Sequence, residues 1–175
     1  MNRSRAQLAL RVLEGERTQP ATRALEGERS RQEETVWFCG HCAARPAGAP
    51  PRSRVCARCG LGLLLAASAE MAPAPGSAFL VLDEALSICA VSEGAERRLA
   101  VKEPDAVNRH VTDLLEPADS ERHDRISLAG AIFRAARGQP EPLAVTVRPA
   151  RTFGVRMRAR VGGCGPGDAA LLVFE

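Results

Sequence analysis

Four cysteines in two Cys-x₂-Cys pairs constrain this chain more than anything else in it. Cys39 and Cys42 stand in "WFCGHC", Cys56 and Cys59 in "VCARCG", with thirteen residues between the pairs. Each pair can chelate one ion from a tight turn, and the excursion lets the second pair swing round to complete a tetrahedron. Zinc with four thiolates is the usual occupant of such spacing, although thiolate ligands alone also admit iron. Thiol–disulfide redox work calls for a βαβ context that the flanking sequence lacks. Residues 43–55 hold Gly, Ala, Arg and three prolines, which make a loop and little core. A segment this small needs the metal for its folding energy. Gly60, directly after Cys59, fits a knuckle turn that wants a positive φ. His41, between two ligands, is expected to face solvent, because four cysteines already close the site.

The compartment supports a metal over disulfides. Met1 is followed by no apolar signal segment, and the longest apolar run, "LGLLLAAS", is too short to span a bilayer. The expected location is the cytoplasm, where paired Cys-x₂-Cys motifs read as metal or redox sites. Lys102 is the only lysine beside many arginines, which points to a GC-rich bacterial genome. The formal net charge of +3 is too mild to argue for nucleic acid by itself. Residues 36–67 carry Arg45, Arg52, Arg54 and Arg58 and no acid. Four metal-bound thiolates and a dication leave that module with a charge of about +2.

The chain divides into four stretches. Residues 1–35 are a charged arm with a near-repeat, "RVLEGER" at 11–17 and "RALEGER" at 23–29. Its twelve-residue period does not match a coiled-coil seam, and Pro20 interrupts it, so the arm reads as a frayed helix or disordered leader. Residues 36–65 are the cysteine module. Residues 66–77, "AASAEMAPAPGS", read as a linker. Residues 78–175 read as an α+β domain. Two short strands, "AFLVLD" and "LSICAVS", come first, and Ser92 can cap the short helix that follows. A helix over 121–137 is marked by Ile126, Ala129, Ile132, Phe133 and Ala136 at helical spacing, with Gly138 as its stop. "LAVTVR", "FGVRMRARV" and "AALLVFE" then supply three more strands. The expected fold is a five-stranded antiparallel sheet with helices on one face.

Two resemblances follow from these residues. "CGHC…CARCG" resembles zinc ribbons and rubredoxin-like knuckles. Trp37, two residues before Cys39, also resembles the Ran-binding-protein type of zinc finger, but that family has a shorter inter-pair loop with an Asn, so RNA binding is not implied. "FLVLDEALSICAVSEGAERRLAV" and "AVNRHVTDLLEPAD", with the helix and three strands behind them, resemble a PAS domain over nearly one hundred residues. Asn108 stands where that family usually has Gly. The resemblance implies ligand sensing or dimerisation. Photoreceptor members use an adduct-forming Cys where this chain has Val111. Haem members supply a His late in the long helix, where this chain has none after His123. Neither a flavin adduct nor haem is therefore expected.

Cys89 reads as a buried strand thiol and Cys164, in "GGCGPG", as turn-exposed. Arg156, Arg158 and Arg160 alternate onto one sheet face, either solvated or a dock for an acidic element. No nucleophile elbow, phosphate loop or H-E-x-x-H is present. The chain reads as a non-enzymatic regulatory or sensory protein: a zinc module contacting a protein partner, beside a PAS-like domain that senses a ligand or dimerises. The alternative is a transcriptional regulator whose zinc module binds nucleic acid.

Overall fold

"FLVL" and "AALLVF" are continuous apolar runs, and a strand of that kind is stable only where both its faces are covered. The computed structural model describes residues 34–48, 50–118, 126–165 and 168–175; the charged arm and its repeat lie outside the described residues. It shows one curled antiparallel sheet of eight strands with a few short helices.

The strands are β1 (Thr35–Cys39), β2 (Leu64–Ser68), β3 (Phe79–Asp83), β4 (Ile88–Val91), β5 (Leu115–Pro117), β6 (Leu143–Pro149), β7 (Met157–Gly165) and β8 (Ala169–Phe174). The helices are α1 (Glu93–Leu99), α2 (Glu103–Ala106) and α3 (Leu128–Ala136), with a 3₁₀ turn over Val111–Asp113. The sheet runs β4-β3-β8-β7, and β6 then β5 continue it beyond the first half of β7. The last residues of β7 outrun β6. There Cys164 and Gly165 pair with Ala67 and Ala66 of β2, and β1 completes the hairpin.

Alternation sorts the central strands onto two faces. Leu80, Leu82, Ala170, Leu172 and Val161 face the helices and pack with Ile132 and Ala135 of α3. Phe79, Val81, Leu171, Val173 and Cys164 face the other way, under Phe38, Ala67 and Met71 of the hairpin and the turn after it. Phe38 and Phe79 meet edge to face with centroids 5.7 Å apart, and both are fully buried. Each such side chain contributes about 1.5–3 kcal/mol of burial. The hairpin is therefore the second cover of the sheet.

Ser92 caps α1 as expected. Its Oγ accepts the N–H of Ala95 at 3.1 Å and of Phe79 at 2.8 Å and donates to Ser77, tying the helix to β3. Asn108 takes φ +66, a backbone state Asn tolerates better than most residues. Gly138 ends α3 at φ +80.

Several expectations change. The sheet has eight strands and not five, because β1, β2 and β5 join it. Ala66–Ser68, expected to open a linker, lie in β2, since the backbone groups at the end of β7 find partners there. Among the described residues α3 begins at Leu128, capped by the Ser127 hydroxyl; residues 121–125 of the expected helix lie outside the described residues. Its buried stripe is Leu128, Ala131, Ile132, Ala135 and Ala136, so Ile126 and Phe133 stay exposed. Strand β7 starts at Met157; Phe153 is 84% exposed in the preceding turn, which Arg151 and Gly154 make with positive φ. Cys164 is buried and Cys89 exposed, the reverse of expectation. The hairpin covers the sheet at β7, whereas Cys89 sits on the edge strand β4.

Candidate metal centre

Two turns of the same design carry the four cysteines. In the first, the residue after Cys42 is Ala43, at φ +58, and its N–H donates to the Cys39 carbonyl at 3.0 Å. In the second, Gly60 takes φ +68 and donates to the Cys56 carbonyl at 2.9 Å. The positive φ expected of Gly60 is present. Its counterpart, Ala43, had no glycine to announce it; its methyl is buried in the outer-face cluster, which favours a side chain there.

The hairpin brings the turns together. Cys39 ends β1, directly opposite Leu64 at the start of β2, and Val55 bridges Leu63 just before the second knuckle. The four Sγ atoms all lie within 4.8 Å of one another, a group that could hold a metal ion. Cys39 and Cys59 Sγ are 3.7 Å apart, and Cys42 and Cys56 Sγ 3.9 Å. A disulfide needs about 2.05 Å. A tetrahedron of thiolates at a zinc–sulfur distance of about 2.3 Å has edges of about 3.8 Å, so the donor set fits zinc in number, type and spacing.

Backbone amides aim at the sulfurs. The N–H groups of His41 and Cys42 approach Cys39 Sγ at 3.4 and 3.5 Å. Burial pushes the Cys39 thiol up to about 12, against those amides. At Cys59 burial also pushes upward, but the N–H groups of Gly62 and Leu61 with the Cys39 and Cys42 thiols bring it down to about 6. Gly62 matters in a second way. A Cβ there would run into Cys39 Sγ and stand 2.8 Å from the His41 backbone nitrogen. Only glycine lets the second knuckle close over the first. "GLGLLL" gave no sign of this, because the requirement comes from a partner twenty-three residues away.

His41 does not face solvent. Its carbonyl accepts the N–H of Glu93, the first residue of α1, at 2.9 Å. Its side chain is 15% exposed, and Nδ1 stands 3.4 Å from Glu103 Oε2, near enough for a charge contact but outside hydrogen-bond geometry. Glu103 Oε1 accepts the N–H of Val91, and the N–H of Glu103 donates to Glu96. The first knuckle is thus joined to β4, α1 and α2.

Val111 is buried at the start of the 3₁₀ turn. His123 lies outside the described residues. Arg160 donates to the carbonyl of Glu70 at 2.9 Å and pairs with Glu175, so it fastens the turn that carries Met71. No helix among the described residues is long and apolar enough to cross a membrane.

No family model matches the chain. No curated protein matches it either. Among solved structures it is similar to the PAS domain of nitrogen regulation protein NR(II) from Vibrio parahaemolyticus, at 15% identity over 57% of this chain and 88% of that one, TM-score 0.39. It is also similar to the PAS domain of an HTR-like protein from Haloarcula marismortui, at 18% identity over 57% of this chain and 79% of that one, TM-score 0.39.

Proposed function

We propose that this chain is a non-enzymatic sensory or regulatory protein in which a zinc-loaded four-cysteine module is part of a PAS-like sensor domain. The observation that carries this reading is the hydrogen bond that the N–H of Glu93, the first residue of α1, donates to the carbonyl of His41 inside the first knuckle. Cys39, Cys42, Cys56 and Cys59 would hold the ion. Zinc supplies a cross-link between the two knuckles and the folding energy that the Pro- and Ala-rich loop cannot generate by burial. With four protein ligands the site keeps no open position for substrate, which assigns it a structural role.

The residues of the chain do the rest. Phe38, Ala43 and Met71 cover the outer face of the sheet, and the His41 carbonyl, beside the cysteines, accepts the first amide of α1. A change at the start of α1 would be expected to reach the knuckle through this bond, and the reverse. The module's exposed side is then the place for a protein partner, and self-association is the second route of output for a PAS-like domain. Metal analysis, an absorbance spectrum and the native mass of the purified protein test the reading together. One zinc per chain with no iron–thiolate absorbance is expected. A folded, metal-free protein would overturn it.

A further inference from the structure

The loop between the two cysteine pairs encloses a groove of ≈ 510 Å³ that the packing of the module on the sheet does not use. Pro46, Pro50 and Pro51 stiffen its wall, and Val55 and Leu64 supply an apolar floor beside Cys56. Arg45, Arg52 and Arg58 line it as well, and among the described residues no acidic side chain does. Among the described residues, none of these arginines makes an ion pair. From Arg45 to Arg52 the backbone makes no backbone–backbone hydrogen bond among the described residues. Among the described residues there, Arg45, Ala47, Gly48 and Arg52 offer N–H groups and the prolines offer only carbonyls to an added extended chain.

We propose that this groove docks an extended acidic peptide of a partner protein, with an aliphatic side chain on Val55 and Leu64 and flanking carboxylates on Arg45, Arg52 and Arg58. The inference rests on the module being the partner-contacting part of the protein and names the chemistry of that contact. Charge complementarity selects the occupant: unpaired guanidinium groups around an apolar floor match carboxylates around an aliphatic residue. Proline fixes φ, so the wall loses little freedom on binding. A nucleic-acid strand is the poorer match, because among the described residues no aromatic side chain lines the groove for bases to stack on.

The test uses the zinc-loaded full chain and a fluorescein-labelled nonapeptide of repeating Glu-Leu-Glu, read by anisotropy. The same peptide with Lys for Glu, and an oligothymidylate, serve as comparators. Saturable binding of the Glu-Leu-Glu peptide, weakening with added salt and absent for the Lys peptide, is expected. The triple variant Arg45→Gln, Arg52→Gln, Arg58→Gln should keep its zinc and bind about tenfold more weakly, each exposed pair contributing roughly twofold. Val55→Asp, which puts a like charge in the wall, should weaken binding independently. No binding of the Glu-Leu-Glu peptide, or equal binding by the triple variant, overturns the proposal while leaving the zinc reading to its own metal analysis. Arginine-dependent binding of the oligothymidylate in its place overturns both this proposal and the protein-partner reading.

Discussion

The carbonyl oxygen of His41 accepts the backbone N–H of Glu93 at 2.9 Å. His41 lies between two of the four clustered cysteines, and Glu93 opens the first helix of the sheet domain. The amides of a helix's first turn have no partner within the helix. Here one of them is satisfied from the knuckle, so the geometry of the cysteines and the start of α1 are set together.

Gly62→Ala tests how the knuckles close. The new methyl runs into Cys39 Sγ and the His41 backbone, so the second knuckle must move off the first. Zinc affinity, measured by competition with a chromophoric chelator, is expected to fall about 10–100-fold, the range found when supporting groups around a metal are disturbed. Gly60→Ala meets open space and loses only the ease of a positive φ, so its effect on affinity should be much smaller.

Met71 and Gly162 form a matched pair on the outer face. A Cβ at residue 162 would lie 2.6 Å from Met71 Cγ. Gly162→Ala is expected to cost about 1–3 kcal/mol by overpacking. Met71→Ala should cost about 2–5 kcal/mol by leaving a cavity. The double variant should cost less than the sum by about 1 kcal/mol, because the added methyl fills part of the vacated space. Urea unfolding of the four proteins gives the cycle; additive costs would mean the two residues do not touch.

Glu96 contributes a pH dependence. The N–H of Glu103, and then the Lys102 ammonium, hold its carboxyl below the ordinary range. A folded-state pKa below the unfolded value means stability that is present above about 4.3 and lost as pH falls through the lower folded value. Lys102 is largely exposed, so its share is screened. Glu96→Gln should cost about 1–2 kcal/mol at neutral pH and almost nothing in acid. A constant cost across that window would contradict the assignment.

The two cysteines outside the cluster should differ in reactivity. Burial, then the charge of Cys89, pushes the Cys164 thiol up to about 12. Cys89 is exposed; partial desolvation and then Asp83 raise its thiol, against the Asp83 backbone, which lowers it. Maleimide labelling of native protein near pH 8, followed by peptide mass mapping, should mark Cys89 and spare Cys164. Faster labelling of Cys164 would mean that Ala67 and Met71 do not cover β7 as described.

Much of the centre was legible in the sequence. Cys39, Cys42, Cys56, Cys59 and Gly60 announce themselves by spacing, which is local information. The two opening strands, α3 with Gly138 and the three closing strands follow from period and stop signals. What escaped was long-range. Ala66–Ser68, read as the start of a linker, belong to β2, and that role depends on the unpaired end of β7, almost one hundred residues later. "GGCG" looked like a turn because two glycines stood together. Gly162 and Gly163 are strand residues, kept small by Met71 on one face and by the carbonyl of Ala135 on the other. The one overlooked sequence signal was the unbroken apolar character of "FLVL" and "AALLVF". An alternating strand has one wet face; these have none, and a second cover had to come from somewhere in the chain.

The account stands or falls on whether the four-cysteine cluster and the sheet domain are one structure. Hydrogen exchange, followed by mass spectrometry on the zinc-loaded protein and after chelation, measures this directly. Loss of zinc is expected to deprotect β1 and β2 and, in the same step, the Glu93 amide and the end of β7 at 162–165, where β2 and Met71 lie. Zinc removal that leaves exchange at Glu93 and at 162–165 unchanged would contradict it.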